Sequence, residues 1–277
     1  MTRSESKQAM LHELGAVPVV ADALDPDRVA EAVGGARPDV IVHQLTAIGA
    51  VDPRDFDRGF APTNRLRTEG TDHLLSAGQA VGVRRFVAQS NGAFPYARTG
   101  GAVKGEEDPL DPTPPREFRG TLEAIRHLEE AVLGADWTEG IVLRYGTFYG
   151  PGTSMAPGEA MFELIRKRMF PIVGDGGGVW SFIHIADAAE ATVAAIEHGS
   201  RGVYNVVDDD PAPVAEWLPA LAQILGAEEP PQAPRDGAGE WAAVQMTELR
   251  GASNAKAKRE LGWRPRHASW REGFAAP

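Results

Sequence analysis

The 277-residue sequence contains no cysteine. Disulfides, cysteine–zinc sites and thiol catalysis are therefore excluded. Positive charge is in short supply: 28 Lys and Arg stand against 39 Asp and Glu, for a net charge of -11. That argues against a nucleic-acid or anionic-membrane partner, since both need a basic surface. A local basic patch for a small phosphorylated ligand remains compatible with it. No apolar run approaches the roughly 20 residues of a membrane span. The opening Met1–Lys7 has no signal-peptide core, so a cytoplasmic location is expected. Tyrosine is scarce: Tyr96, Tyr145, Tyr149 and Tyr204 are all there are.

Apolar residues make up 43% of the chain, enough for a sizeable core. Ser6–Leu14 has helical apolar spacing closed by Gly15. Val17–Val20 reads as a strand, placed at a sheet edge because Pro18 cannot donate to a ladder. Asp25-Pro26 predicts a capped helix ending at Gly34-Gly35. Val40–Val42 has the unbroken apolar character of a central parallel strand. A helix over Thr63–Gln79, a strand over Arg85–Gln89, a helix over Arg119–Leu133 and a strand running into Arg144 follow. Later come a helix near Glu159–Arg168, a helix after Asp187, a strand from Gly202 to Val207, and helices over Val214–Leu225 and after Ser253. Such alternation predicts an α/β fold, a doubly wound parallel sheet wrapped by helices.

Leu143-Arg144-Tyr145-Gly146-Thr147-Phe148-Tyr149-Gly150-Pro151-Gly152 begins at the end of the apolar strand Gly140–Leu143. Ligands bind at the carboxyl edge of such sheets, and an Arg, two Tyr and a Phe there can hydrogen-bond and stack. Together with Asn91-Gly92, Phe182-Ile183-His184, Asp187 and Leu261-Gly262-Trp263-Arg264-Pro265, this stretch resembles the extended short-chain dehydrogenase/reductases, the NAD-dependent epimerase/dehydratase family. The resemblance runs from Thr2 to Trp270 and is specific as a set. It implies a Rossmann-like dinucleotide-binding domain over 1–150 with returning segments near 179–208. Residues 151–277 would form mainly a smaller substrate lobe.

By resemblance, Arg3 and Ser4 lie where the adenosine ribose is read, and a guanidinium beside a hydroxyl suits a 2′-phosphate, hence NADP (or NAD). Asp22, Ala23 and Leu24 would border the adenine. Gln44, Leu45 and Thr46 would follow the ribose and phosphates, and Arg144, Gly146 and Phe148 the nicotinamide end. Ser90 or Asn91 would bond the substrate's carbonyl or hydroxyl. The family's Tyr-x-x-x-Lys pair is missing: Thr121 with Ile125, or Leu122 with Arg126, occupies its places. Tyr96 or Tyr145 would then have to supply the acid, with Arg98 or Arg144 as the cation. His184 and Asp187 do not amount to a metal signature, and no metal is expected.

The resemblance also implies a Gly-rich strand–turn–helix opening that this sequence does not contain. A start codon assigned too late, or a fragment of a longer chain, is the expectation, and with it weak NADPH binding by the chain as it stands. The implied function is an NAD(P)-dependent oxidoreductase or epimerase acting on a small hydroxyl- or carbonyl-bearing molecule, such as a sugar nucleotide. The alternatives are a non-catalytic NADP-binding sensor and an inactive fragment. A homodimer through the helices Thr63–Gln79 and Arg119–Leu133 is the assembly the resemblance implies.

Overall fold

A computed structural model gives the fold and describes residues 1–48 and 56–275. A short 3-10 turn leads into α1 (Gln8–Glu13), which buries none of its side chains. Helix α2 (Pro26–Ala36) opens with the Asp25 carboxylate accepting from the Asp27 and Arg28 amides, both at 3.1 Å. This is an N-cap with proline at the first helical position. Strand β1 (Val40–His43) follows, then α3 (Phe56–Arg65), a π turn (Leu66–Gly70), α4 (Thr71–Val81), β2 (Arg85–Asn91) and β3 (Val103–Lys104). Next come α5 (Arg119–Gly134), β4 (Glu139–Tyr145), β5 (Thr147–Tyr149), α6 (Ala160–Arg166), β6 (Ile172–Val173), β7 (Val179–Trp180) and β8 (Phe182–His184). The chain continues through α7 (Ile185–His198), β9 (Gly202–Val206), β10 (Ala212–Pro213), α8 (Val214–Ile224) and β11 (Gln232–Ala233). It ends with α9 (Glu240–Thr247), β12 (Gly251–Ala252), α10 (Ala255–Glu260) and α11 (Trp270–Gly273).

The main sheet is parallel, in the order β1-β2-β4-β9. Alternation along its strands sends side chains to opposite faces. Phe86 and Ala88 of β2 and Val142 of β4 pack with Val29 of α2, Leu74 of α4 and Leu128 of α5. Val87, Ile141 and Leu143 pack on the other face against α7. Alanines 188, 191 and 195 let α7 lie close to that face. The sheet is therefore doubly wound, as the strand–helix alternation predicts. A third cluster, rich in Trp and Phe, gathers mostly residues after Gly150, including Phe162, Trp180, Trp217, Trp241 and Trp270. Of the apolar residues of the two helices expected at a dimer interface, Leu66, Leu74, Leu122, Leu128 and Val132 are buried in the chain's own core and Leu75 is half-buried against it.

Several expectations need correction. Val17–Val20 is no strand. Only Val20 forms a bridge, to Thr2, and Val17 is 88% exposed. A β-rich run becomes a strand only where a partner strand meets it, and Thr2 offers a single residue. Val40–His43 is the edge of the sheet rather than its centre, which leaves Val42 39% exposed. A trough of about 280 Å³, lined by Val17, Val19, Ile41 and Val42 among others, separates the two segments. Helix α2 runs through Gly34-Gly35, because buried Val33 anchors the turn and Arg37 instead takes the left-handed conformation (φ 45°). The single helix expected over Thr63–Gln79 is two helices joined by the π turn. Asn254 takes the N-cap position of α10 without a side-chain cap bond, while the Ser253 hydroxyl accepts from the Ala255 amide at 3.3 Å.

With β4 paired on both sides and β1 on one, β1 amides should exchange with deuterium more than about tenfold faster than those of β4. Equal protection of the two strands in an exchange experiment would mean that the free edge of β1 is covered.

Candidate active site

Thr2 is held by two backbone bonds, from its own amide to Val19 O (2.8 Å) and from the Ala21 amide to its carbonyl (3.0 Å). This places Arg3 and Ser4 opposite the end of β1. The groove between them, about 410 Å³, is lined by Arg3, Ser4, Asp22, Ala23, Gln44, Leu45 and Thr46. Seven of the residues expected at the cofactor are thus brought together. Leu24 does not line it, but its amide donates to Asp22 Oδ1 at 3.0 Å and so shapes the turn. Lys7 adds a second cation to the groove. It stands one helical turn after Arg3, a spacing visible in the sequence but not used.

Below the groove, His43 is 2% exposed. Its Nδ1 accepts from the Leu45 amide (3.3 Å), which leaves Nε2 to bond Thr71 Oγ1 at 3.1 Å. Burial, reinforced by the Arg67 charge, pushes its pKa down to about 4.

At the end of β4, Arg144 and Tyr145 point to opposite faces. Arg144 donates from Nε (2.8 Å) and Nη2 (2.5 Å) to the two Glu129 oxygens, and both residues are buried. Burial alone would lower the Arg144 pKa, but the Glu129 bonds outweigh it and hold the guanidinium above its usual value. Ser90 donates to Glu129 Oε1 (2.6 Å). Tyr96 accepts from Arg144 Nη1 (3.1 Å) and donates to Asn205 Oδ1 (2.5 Å). Burial raises the Tyr96 pKa, with Arg144 opposing. Ser90, Tyr96 and Arg144 therefore share one buried polar network across β2, β4 and β9, in which Asn205 Nδ2 has no partner among the described residues. Asn91 is occupied elsewhere: its Oδ1 accepts from the Ala93 and Phe94 amides at 2.9 and 3.1 Å and shapes the turn.

Tyr145 faces α7, where its hydroxyl bonds Thr192 at 2.6 Å and accepts from Gln44 Nε2 at 3.1 Å. The Gln44 bond links the groove to the end of β4. Burial pushes the Tyr145 pKa up to about 12. Gly146 packs so close to the Ser181 carbonyl that an added Cβ would lie 2.7 Å from it. The Phe148 ring is 5.3 Å from that of Tyr145. Arg98 is spent on Asp111 and Glu248.

The opening turn of α5 is capped from outside the helix. Asp57 accepts from the Gly120 and Thr121 amides (both 2.8 Å) and from the Thr121 hydroxyl (2.6 Å). Asn64 Nδ2 donates to that hydroxyl at 3.1 Å. One turn on, Ile125 is 1% exposed. Neither position offers a group that titrates near neutrality. An aromatic cluster borders this corner. Phe118 stacks on Trp241 (4.2 Å, 6°), and Phe94 meets Trp180 and Trp241 edge-on at 6.0 and 5.9 Å. Among the described residues, the indole N–H of Trp241 has no partner.

Among the described residues, His184, Asp187 and His267 could approach one metal ion, with ligand atoms within 4.8 Å of one another. The Asp187 oxygens and the Nδ1 atoms of both histidines are already engaged. Asp187 accepts from the Arg266 and His267 amides and from His267 Nδ1, and His184 Nδ1 accepts from the Ala186 amide. His267 lies 80 residues from Asp187, so spacing could not reveal the contact.

The Arg144–Glu129 pair is a buried charge pair, so removing either partner strands the other. Arg144→Met alone should cost about 3–5 kcal/mol of stability, and adding Glu129→Leu should recover much of the loss. Single variants as stable as wild type in chemical denaturation would contradict this. His43 gives a pH signature. It stays neutral when folded but titrates near 6.5 when unfolded, so the unfolded chain binds the extra proton. Its stabilisation is complete above pH 6.5 and is lost as pH falls through about 4. The full loss is about 3 kcal/mol. Urea titrations from pH 7 to 4 should show His43→Gln losing less stability than wild type, and parallel curves would remove His43 as the cause.

The family profile described as "NAD dependent epimerase/dehydratase family" matches residues 1–207. A 3-diazoavenalumate denitrifying reductase from a Streptomyces species is 46% identical over 261 residues, covering 92% of this chain and 85% of that one. The UDP-glucose 4-epimerase of Thermotoga maritima, solved with UDP-glucose, superposes with a TM-score of 0.76 at 21% identity, over 94% of this chain and 82% of that one. RMD from Pseudomonas aeruginosa, solved with NADPH, gives 0.69 at 24% identity, over 94% and 87%. With the profile spanning three quarters of its length and a doubly wound parallel sheet in the structure, the chain belongs to the NAD-dependent epimerase/dehydratase family.

Proposed function

We propose that this protein is an NADPH-dependent reductase that acts on an electrophilic aromatic compound by hydride addition, without a protein-borne proton donor. The observation that carries the reading is the first part of α5. Thr121 and Ile125 stand where the family's tyrosine and lysine are expected, and the Thr121 hydroxyl is already committed to Asp57. A ketone or a sugar-nucleotide intermediate needs a proton as well as a hydride. Tyr96 is a poor substitute, because its own proton goes to Asn205. An aryl diazo group differs. When its ring carbon takes a hydride, the C–N bond breaks, N₂ leaves with the bonding pair, and no proton is consumed. The 46%-identical relative, named as a denitrifying reductase of a diazo compound, supports that substrate class.

The groove suits the adenosine end of the dinucleotide. Arg3, Lys7 and Ser4 offer two cations and a hydroxyl to a 2′-phosphate, and Asp22 lies at the adenine side. When bound, the cofactor supplies the hydride. Gln44 and Thr46 would orient the ribose, and the Tyr145 hydroxyl keeps Gln44 in place. The largely buried aromatic cluster of Phe94, Phe118, Trp180 and Trp241 would back the substrate side with apolar rings and exclude water there. In this reading residues 1–150 with 179–208 hold the cofactor, and 151–277 mainly shape the substrate side.

The test follows the hydrogen. An arenediazonium carboxylate is incubated with the protein and NADPH deuterated at the transferred position, and the arene is analysed by mass spectrometry. Deuterium should appear in the ring with one N₂ released per NADPH oxidised. In D₂O with ordinary NADPH, the ring should carry none. Deuterium drawn from solvent, or turnover of simple ketones but not of the diazonium, would overturn the reading.

A further inference from the structure

Arg67 sits on the π turn between α3 and α4 and is 7% exposed. Among the described residues its hydrogen bond runs from Nη1 to Asn64 Oδ1 at 3.1 Å, and its guanidinium carbon lies 5.9 Å from the Phe60 ring centroid. Among the described residues no carboxylate pairs with it. The other deeply buried guanidinium near the sheet edge, Arg144, is clamped by two Glu129 oxygens. A buried cation without a counter-ion is costly, and proteins seldom keep one. Burial lowers its pKa to about 10, so it stays charged at neutral pH.

The surroundings are those of a site. Asn64 joins Arg67 to the Thr121 hydroxyl. Leu66, the preceding residue, lines the cofactor groove. Phe60 stacks on Phe56 at 4.3 Å, and Phe56 meets Phe118 and Trp241 edge-on. The cation thus lies between the groove and the aromatic cluster. π turns recur at functional sites because the extra residue redirects a side chain.

We infer that Arg67 is an anion-binding residue, whose guanidinium takes a carboxylate or phosphate oxygen from a ligand seated between the groove and the aromatic cluster. The inference rests on the proposed reductase only for the choice of probes. A carboxylate on an aromatic substrate and a phosphate of the cofactor share this chemistry, and binding experiments separate them.

Intrinsic tryptophan fluorescence of the full chain reads the binding of 4-hydroxycinnamate, of its neutral methyl ester and of NADPH, with wild type compared with Arg67→Met. The expected result is a tenfold to hundredfold loss of affinity for 4-hydroxycinnamate with the ester unchanged, which assigns the anion to the substrate. A loss confined to NADPH supports the inference and assigns the anion to the cofactor. Affinities for both anions within twofold of wild type would overturn it. Thermal melting is the control. An unpaired buried charge kept for binding predicts that Arg67→Met melts no lower than wild type, whereas a fall of several degrees with unchanged binding would make Arg67 a packing residue and sink the proposal. These readouts need no turnover, so failure of the diazonium test would leave them intact.

Discussion

The buried Arg144–Glu129 pair is the constraint on which this corner of the molecule is built. Ser90, Arg144 and Asn205 are register neighbours across β2, β4 and β9, and Glu129 reaches down from α5. Two charges can stay in the core only if every remaining lone pair and proton finds a partner. Ser90 and Tyr96 provide them. The cost to chemistry is that both hydroxyls are committed to structure, although each lies at a strand end or loop where a substrate-binding residue would be sought. The pair also fixes the height of α5 above the sheet, and with it the place of Thr121.

The two edges of the sheet are treated differently. On β9, the Glu106 carboxylate accepts the outward Asn205 amide at 2.8 Å, and the Lys256 ammonium donates to Val203 O at 2.8 Å. Side chains there take over the bonds a further strand would make, one way proteins keep edges from pairing. On β1 no described side chain does the same, and the edge faces the apolar trough beside Val17 and Val19. The groove assigned to the cofactor opens at the carboxyl end of this less supported strand. Gln44 and Thr46, which line that groove, follow the strand that is paired on one side only.

Much of this architecture was legible because its signals are local. The Asp25-Pro26 cap and the apolar runs of β1, β2 and β4 each state their structure within a few residues. What failed to show were properties of partners. Val17–Val20 has the composition of a strand but has only Thr2 to pair with. Ser90 and Tyr96 have the chemistry of a site, yet whether their protons are free depends on Glu129 and Asn205, 39 and 109 residues away. Helix α11 is four residues long, too short for any period to appear. Arg67 is the instructive omission. Reading Thr63–Gln79 as one regular helix assigns it a direction by 3.6-residue counting. The π turn inserts an extra residue and shifts that count by about 100°.

The same turn connects the two departures of this chain from its family's pattern. Loss of the tyrosine and lysine removes a proton donor and a cation from α5. Thr121 leaves a hydroxyl that is tied, through Asn64, to a guanidinium brought in from the facing helices. A cation has thus been restored to this corner from another element, while the titratable phenol has not. Arg67 cannot serve as a proton donor at neutral pH, since even with its pKa lowered to about 10 it stays charged. As inferred above, its role would be to hold an anion beside the Phe60 ring. In the proposed reading, a fixed cation beside apolar rings would orient a charged aromatic ligand and leave the bond change to hydride.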